Sequence, residues 1–322
     1  MRGGTDNGKM HLQAASAIIP VLIDAHLSLP LRPESEFPVA AGALSQNPFF
    51  KTDEAAIKIL ITIFLWFDIY TCISSGSKPY LESYFQRLLE SPDGGIDMGQ
   101  VMGCENSIMI QIGKIASLDV WKRESQKSGK LSVVNLVKQA TQIEQDLKSG
   151  LAEAQRKAEL SPQFPGENTS IPLATISNPS KHIHLANLSI YSNYVTQINA
   201  MSALTYLHVV VSGPQPESPE IRETVRNTID ALRNIPHPQL VRAMQWPILV
   251  SGSMALEEEE PFFRQLICGS GVVSETAIGL GWNILKILEQ CWRTRGNNEF
   301  ELSGEGHWAS VIASIGIQVV VV

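Results

Sequence analysis

Cysteine is scarce and scattered in this chain. Cys72, Cys104, Cys268 and Cys291 are the four among 322 residues, and no two have the C-x-x-C spacing of a zinc knuckle or a thioredoxin-like motif. Each stands in an apolar, helix-like context, where a free thiol behaves as a small hydrophobe. A reducing compartment without a disulfide framework is the expectation. Charge is sparse too: Asp, Glu, Lys and Arg make up 18% of the residues and the net charge is −7. Such a field does not favour non-specific binding to nucleic acid or to a membrane surface. The most basic stretch, Lys122-Arg123 with Lys127 and Lys130, reads as a solvated helix end. Long apolar runs are missing as well. The longest, Ile59 to Phe67, is interrupted by Thr62 and closed by Asp68, well short of the ~20 residues of a membrane span. No membrane partner is expected. Met1 to Lys9 is polar and Gly-rich, with no apolar signal-peptide core before Ala14. Without a secretory signal, the patterns Asn168-Thr169-Ser170 and Asn187-Leu188-Ser189 carry no weight as glycosylation sites.

Motifs of common chemistries are equally lacking. Gly252-Ser253 and Gly269-Ser270-Gly271 miss the spacing of a nucleophile elbow. Gly279-Leu280-Gly281 lacks the third Gly and the preceding strand of a dinucleotide loop, and there is no Walker A sequence. No aspartate-rich cluster is present to hold magnesium on a helix. His182-Ile183-His184 offers two metal ligands without a third. No catalytic, cofactor-binding or metal residue is therefore assigned. Asp68 closes an apolar helix face, and a helix-terminal polar contact is its simpler reading. Glu257 to Glu260, just ahead of Pro261, reads as the acidic start of a helix. Trp66, Trp246, Trp282 and Trp292 lie on apolar helical segments and read as core, with a ligand pocket between helices as the alternative.

What is present is apolar mass in helical order. Hydrophobic residues make up 44% of the chain, enough for a packed core. Met10 to Leu27 reads as a first helix. Thr52 followed by Asp53 and Glu54 reads as the start of a second, apolar nearly all round from Ile57 to Ile69 and stopped by Gly76 and Pro79. Tyr80 to Glu90, Ser107 to Lys127 and Ser132 to Leu160 follow, the last with Val134, Val137, Ile143, Leu147 and Leu151 as its apolar stripe. A Pro- and Ser-rich loop spans 160–180, and a long helix runs from Ile183 to Val211. Ser218-Pro219-Glu220 is the cleanest start signal, with Ile221, Val225, Ile229 and Leu232 behind it. Gln239 to Ala255 reads as one helix kinked at Pro247, since an interior Pro costs ~3 kcal/mol. Helices from Pro261 and from Ser274 to Arg295 complete the pattern, and the apolar tail from Ile315 is expected to tuck into the core. The class is all-α: a single large helical domain of about ten helices over residues 51–322, preceded by an N-terminal helix and variable segment over 1–50.

Several segments together resemble the fungal-specific transcription factor domain, the helical regulatory region of fungal zinc-cluster regulators. The markers run in order: Phe67-Asp68-Ile69 with Gly76 and Pro79; Ile115 to Leu118 with Trp121-Lys122; Ala203 to His208; Trp246-Pro247 with Gly252 and the acids after it; Leu288 to Trp292; and Trp308 with Gly316. They cover Ala55 to Val322. The resemblance implies a nuclear regulator of transcription, controlling a metabolic or secondary-metabolite gene set. Its partners would be other transcription factors or itself, and a small-molecule effector is a further implied possibility. The family's DNA reader, six closely spaced cysteines on two zinc ions, is not in this sequence, so no cofactor is assigned and DNA is reached only indirectly or through a further N-terminal module. In this reading Trp246-Pro247 is a structural hinge. Two other readings stand beside it: an all-helical secondary-metabolism enzyme with a tryptophan-lined pocket, and a DNA-binding-deficient partner of intact regulators.

Overall fold

A computed structural model of the chain describes residues 14–23, 48–90, 95–160, 191–236, 238–269, 280–295 and 308–315. Every regular element among the described residues is helical. In chain order these are α1 (Ala14–Ile23), α2 (Pro48–Ser75), α3 (Met98–Met102), α4 (Asn106–Lys127), α5 (Val133–Leu160), α6 (Ser192–Ser212), α7 (Pro219–Arg233), α8 (Gln245–Ser253), α9 (Glu260–Gly269), α10 (Leu280–Arg295) and α11 (Trp308–Ile315). The 160–180 loop, His182 and His184, residues 183–190 of the long helix, residues 274–279 and the tail with Gly316 lie outside the described residues.

The centre of the domain is α6, which packs against α4, α5, α7 and α8. Its sequence is apolar with small polar residues threaded through it, and each of these finds a partner, as a buried polar group must. Thr196 accepts the Glu105 amide at 3.1 Å, and Asn199 donates to the Val195 carbonyl at 2.8 Å. Ser202 meets Ser251 of α8 at 3.2 Å, and Thr205 donates to Thr224 of α7 at 2.9 Å. The bonds from Thr196, Ser202 and Thr205 fix the rotation of α6 against its neighbours, where apolar contacts alone permit sliding.

The opening apolar helix differs from expectation. It starts at Pro48, so Thr52 stands inside the helix and is not its cap. Residues Ala55–Ser75 are long and apolar enough to cross a membrane, so the shortness of the Ile59–Phe67 run was no argument against a span. What identifies α2 as a core helix is burial: Ile61, Leu65, Trp66, Ile69 and Tyr70 all join the common core. It is not buried all round, because Ile59, Leu60 and Phe67 are exposed. It stops as predicted. Gly76 takes a left-handed φ of 65°, and the Ser77 amide donates back to the Cys72 carbonyl at 3.1 Å, the long bond of a Schellman turn. Beyond Pro79, the expected helix Tyr80 to Glu90 is a 3-10 turn (Glu82–Tyr84) followed by a π turn (Gln86–Glu90).

In α5 the register of the stripe is corrected. The buried line is Leu136, Ala140, Ile143, Leu147 and Ala154, spaced by three, four or seven. Val134 and Val137, expected inside, are 77% and 48% exposed. Helix α7 begins at Pro219 as expected, but Ser218 makes no side-chain cap bond.

The largest correction concerns Pro247. The stretch from Gln239 is not one kinked helix. A 3-10 segment, Pro238–Met244, hands over to α8 at Gln245. Pro247 is therefore in the first turn of α8, where amides have no partner within the helix and a Pro is tolerated. The expected hinge is absent, because the change of helix type falls before the Pro. Pro247→Ala should accordingly destabilise the domain by about 1 kcal/mol through lost apolar contact. Relief of an interior Pro stabilises by ~3 kcal/mol. Urea unfolding distinguishes the two by sign.

Candidate functional site around the Trp246–Gly252 helix

The marker residues separate into two groups in space. Trp246, Pro247, Gly252 and Trp292 meet at α8, which packs on α6, α7, α9, α10 and α11. Asp68, Gly76 and Pro79 meet at the end of α2, where Arg123 of α4 joins them, while Trp121 of α4 packs against the common core. Trp308 lies on α11, fully buried, edge-on to Tyr206 at a centroid distance of 5.3 Å.

At the first group, Trp246 is buried and faces Tyr70 of α2 at 5.3 Å, and Tyr70 in turn meets Trp66 at 4.5 Å. The Tyr70 hydroxyl donates to Asn199 at 2.6 Å, so the aromatic row is tied to the central helix. Gly252 is needed for space: a Cβ there would lie 3.0 Å from Leu288 and 3.1 Å from Phe263. At the end of α8, the Gly252 carbonyl and those of Met254 and Ala255 just beyond the helix each accept from a side chain of another helix. The Gly252 carbonyl accepts the Trp292 indole N–H at 2.8 Å. The Met254 carbonyl accepts from Arg222 at 2.6 Å, and the Ala255 carbonyl accepts from Arg295 at 2.9 Å. Both cations also suit the negative end of the helix dipole. Arg222 is held in turn by Glu259 at 2.7 Å and donates to the Pro216 carbonyl. Glu259 accepts the Leu256 amide at 3.0 Å. Arg264 lies over the Trp292 ring at 4.7 Å and pairs with Glu289. The acids after Gly252 thus have a specific task in Glu259, while Glu260 pairs with Arg264 at 3.5 Å.

At the second group, Asp68 is buried and does not terminate its own helix. Its two oxygens accept the amides of Tyr80 and Leu81, each at 2.9 Å. The contact is polar, but it is not the expected helix-terminal one: Asp68 lies inside α2 and holds the amides that follow Pro79. Burial pushes its pKa up to about 6, against the opposing pull of the Leu81 and Tyr80 amides. Arg123 donates to the Gly76 carbonyl at 2.7 Å, and Lys122 reaches the Val210 and Val211 carbonyls at the end of α6. Lys122 and Arg123 were expected as a solvated helix end; they instead close the ends of α6 and α2. Lys122 is half-buried, and burial lowers its pKa.

The contacts of this arrangement hold helix ends and aromatic rings together. Burial raises the thiol pKa of Cys72, Cys104 and Cys291, the last to about 12, which suppresses the nucleophilic thiolate. Among the described residues no group of three or more His, Cys, Asp or Glu is placed to hold a metal ion. The residues that sequence reasoning overlooked are Arg222 and Arg295. Their only signal was an Arg on the apolar side of an amphipathic helix, one position from Ile221 in one case and four from Cys291 in the other.

The comparisons with known proteins find the family that the sequence resembles. The sequence profile of the fungal-specific transcription factor domain matches residues 1–322. The chain is 34% identical, over 89% of its length, to the trichothecene biosynthesis transcription regulator of Trichoderma arundinaceum, and covers 62% of that protein. It is 29% identical over 96% of its length to a transcription factor, dibT, of Pestalotiopsis microspora, covering 49% of it. It is 27% identical over 82% of its length to the ustiloxin B cluster transcription factor of Aspergillus flavus, covering 42%. The chain thus spans about half the length of these curated relatives. No solved structure matches it. With a match along the whole chain, the chain belongs to the fungal-specific transcription factor domain family.

Proposed function

We propose that the chain is the helical regulatory domain of a nuclear transcription regulator that controls a secondary-metabolite gene set. The observation that carries this reading is the full-length family match together with relatives named for trichothecene and ustiloxin B regulation. The geometry supports it from the other side. Asp68, Trp66, Trp246 and Trp292, among the residues on which an enzyme reading leaned, hold helices together. The domain acts through contacts with other regulators or with a second copy of itself, and DNA is approached through those contacts or a further module.

The test is a fusion of the chain to a heterologous DNA-binding domain, read with a reporter under that domain's operator. Activation or repression of the reporter is the expected result, lost on destabilising the core with Arg222→Met. A fusion that is expressed, nuclear and folded, yet leaves the reporter unchanged, overturns the reading.

A further inference from the structure

The two valines displaced from the core of α5 belong to a local surface of unusual composition. Val133, Val134 and Val137 are 63%, 77% and 48% exposed. Val133 and Val137 stand one above the other at i and i+4, with Val134 beside them. Branched valines are poor choices for a solvated helix surface, since they lose side-chain freedom there and offer water nothing. Farther along α5 the exposed positions are polar or small: Gln142, Lys148, Ser149, Gln155, Arg156 and Glu159. The apolar patch is thus confined to the first two turns. Ser132 fixes this end, its hydroxyl accepting the Asn135 amide at 3.3 Å.

Along the chain, the charges nearest the patch are lysines, with Glu124 and Glu144 farther off on either side. Residues 125–143 contain Lys127, Lys130 and Lys138 and no Asp or Glu, within a chain of net charge −7. All three lysines are exposed. The ion pairs on either side of this stretch are Asp119–Arg123 and Glu144–Lys148. A symmetric contact between two copies through this face would set like charges against each other. A polyanion such as duplex DNA would use the lysines and leave the valines without purpose.

We propose that the α4–α5 turn is a docking surface for an acidic amphipathic helix of a partner protein. The partner's apolar stripe covers Val133, Val134 and Val137, and its carboxylates meet Lys127, Lys130 and Lys138. The apolar contact supplies adhesion and the charges supply orientation and rate. This inference is independent of the regulatory reading, because it is measured on the isolated chain.

The test uses a fluorescein-labelled helical peptide of about 18 residues, roughly five turns, with Leu along one stripe and Glu elsewhere. A second peptide has Lys in place of every Glu. Fluorescence anisotropy with the full chain should show binding of the acidic peptide and not of the basic one, weakening as salt is raised. Val134→Ser with Val137→Ser should weaken binding by about tenfold or more, a loss of roughly 1.4 kcal/mol or more. The melting temperature should hold, because both side chains already face water. Lys127→Glu with Lys130→Glu and Lys138→Glu should reverse the preference between the two peptides. The proposal is overturned if the acidic peptide does not bind, if the serine variant binds it equally, or if both peptides bind alike. Binding of duplex DNA that depends on the lysines alone, with no valine-dependent peptide binding, also overturns it. So does sedimentation showing self-association that Val134→Ser abolishes, since a second copy is then the occupant.

Discussion

Arg222→Met should cost the domain about 3–5 kcal/mol, the range for breaking one side of a buried ion pair. Arg222 and Glu259 are 9% and 13% exposed at their side chains, and every nitrogen of the guanidinium has work: Nε to the Pro216 carbonyl, Nη1 to Glu259, Nη2 to the Met254 carbonyl. Methionine matches the length of the stem and leaves three acceptors behind. Glu259 would keep the Leu256 amide and lose its counter-charge. The companion experiment replaces both partners, Arg222→Met with Glu259→Leu. An apolar pair of similar volume removes the stranded carboxylate, so the double variant should recover much of the loss. The carbonyls of Pro216 and Met254 stay without donors, which limits that recovery. Urea unfolding of wild type, both singles and the double closes the cycle. A loss below about 1 kcal/mol for Arg222→Met would place the pair among surface ion pairs and remove it as the anchor of α8.

The second large effect is a pH dependence. The Asp68 carboxyl has its pKa raised from 3.8 to about 6 in the folded domain. The folded state therefore holds this proton more tightly than the unfolded chain does. Between about pH 4 and pH 6 the unfolded chain has released it and the folded chain has not. Stability from this group thus falls as pH rises through the window and is level above it. Two pH units at 1.36 kcal/mol each make the change about 3 kcal/mol. Other carboxylates titrate in the same window, so the measurement is a difference: unfolding free energy of wild type minus that of Asp68→Asn, from pH 4 to pH 7. Asparagine keeps one acceptor for the Tyr80 or Leu81 amide and carries no titrating charge. The difference should fall by about 3 kcal/mol across the window. A flat difference would mean that the two amides offset the cost of burying the charge in full.

The parts of this domain that were legible in the sequence are those decided locally. The start at Pro219, the left-handed stop at Gly76 and the all-helical class depend on residues within a turn or two of one another, and the chain displays them. What was not legible depends on partners far along the chain. Lys122 and Arg123 look like any charged helix end until Val210 and Gly76 are brought beside them. Pro247 looked like a kink because the apolar run continues on both sides of it. The change from 3-10 to α at Gln245 follows from how that segment packs, not from its pattern. The stripe of α5 was misplaced for a related reason. Val134 and Val137 fit a helical period as well as Leu136 and Ala140 do, and hydrophobicity alone does not say which line faces the neighbours. The site was legible as a set of markers and not as a mechanism: Trp246, Gly252 and Trp292 were named together, but the arginines that join them were not.

The way α8 is finished bears on how the protein is made. The Gly252 carbonyl near its end and the Ala255 carbonyl just beyond it take their side-chain donors from Trp292 and Arg295, which leave the ribosome 40 residues later. At the usual pace of synthesis that is a delay of several seconds. During it the aromatic row and the two serines of α6 and α8 have no finished helix end to lean on. A nascent chain halted between 256 and 291 would hold a sticky, half-closed core, and such intermediates are the natural clients of chaperones.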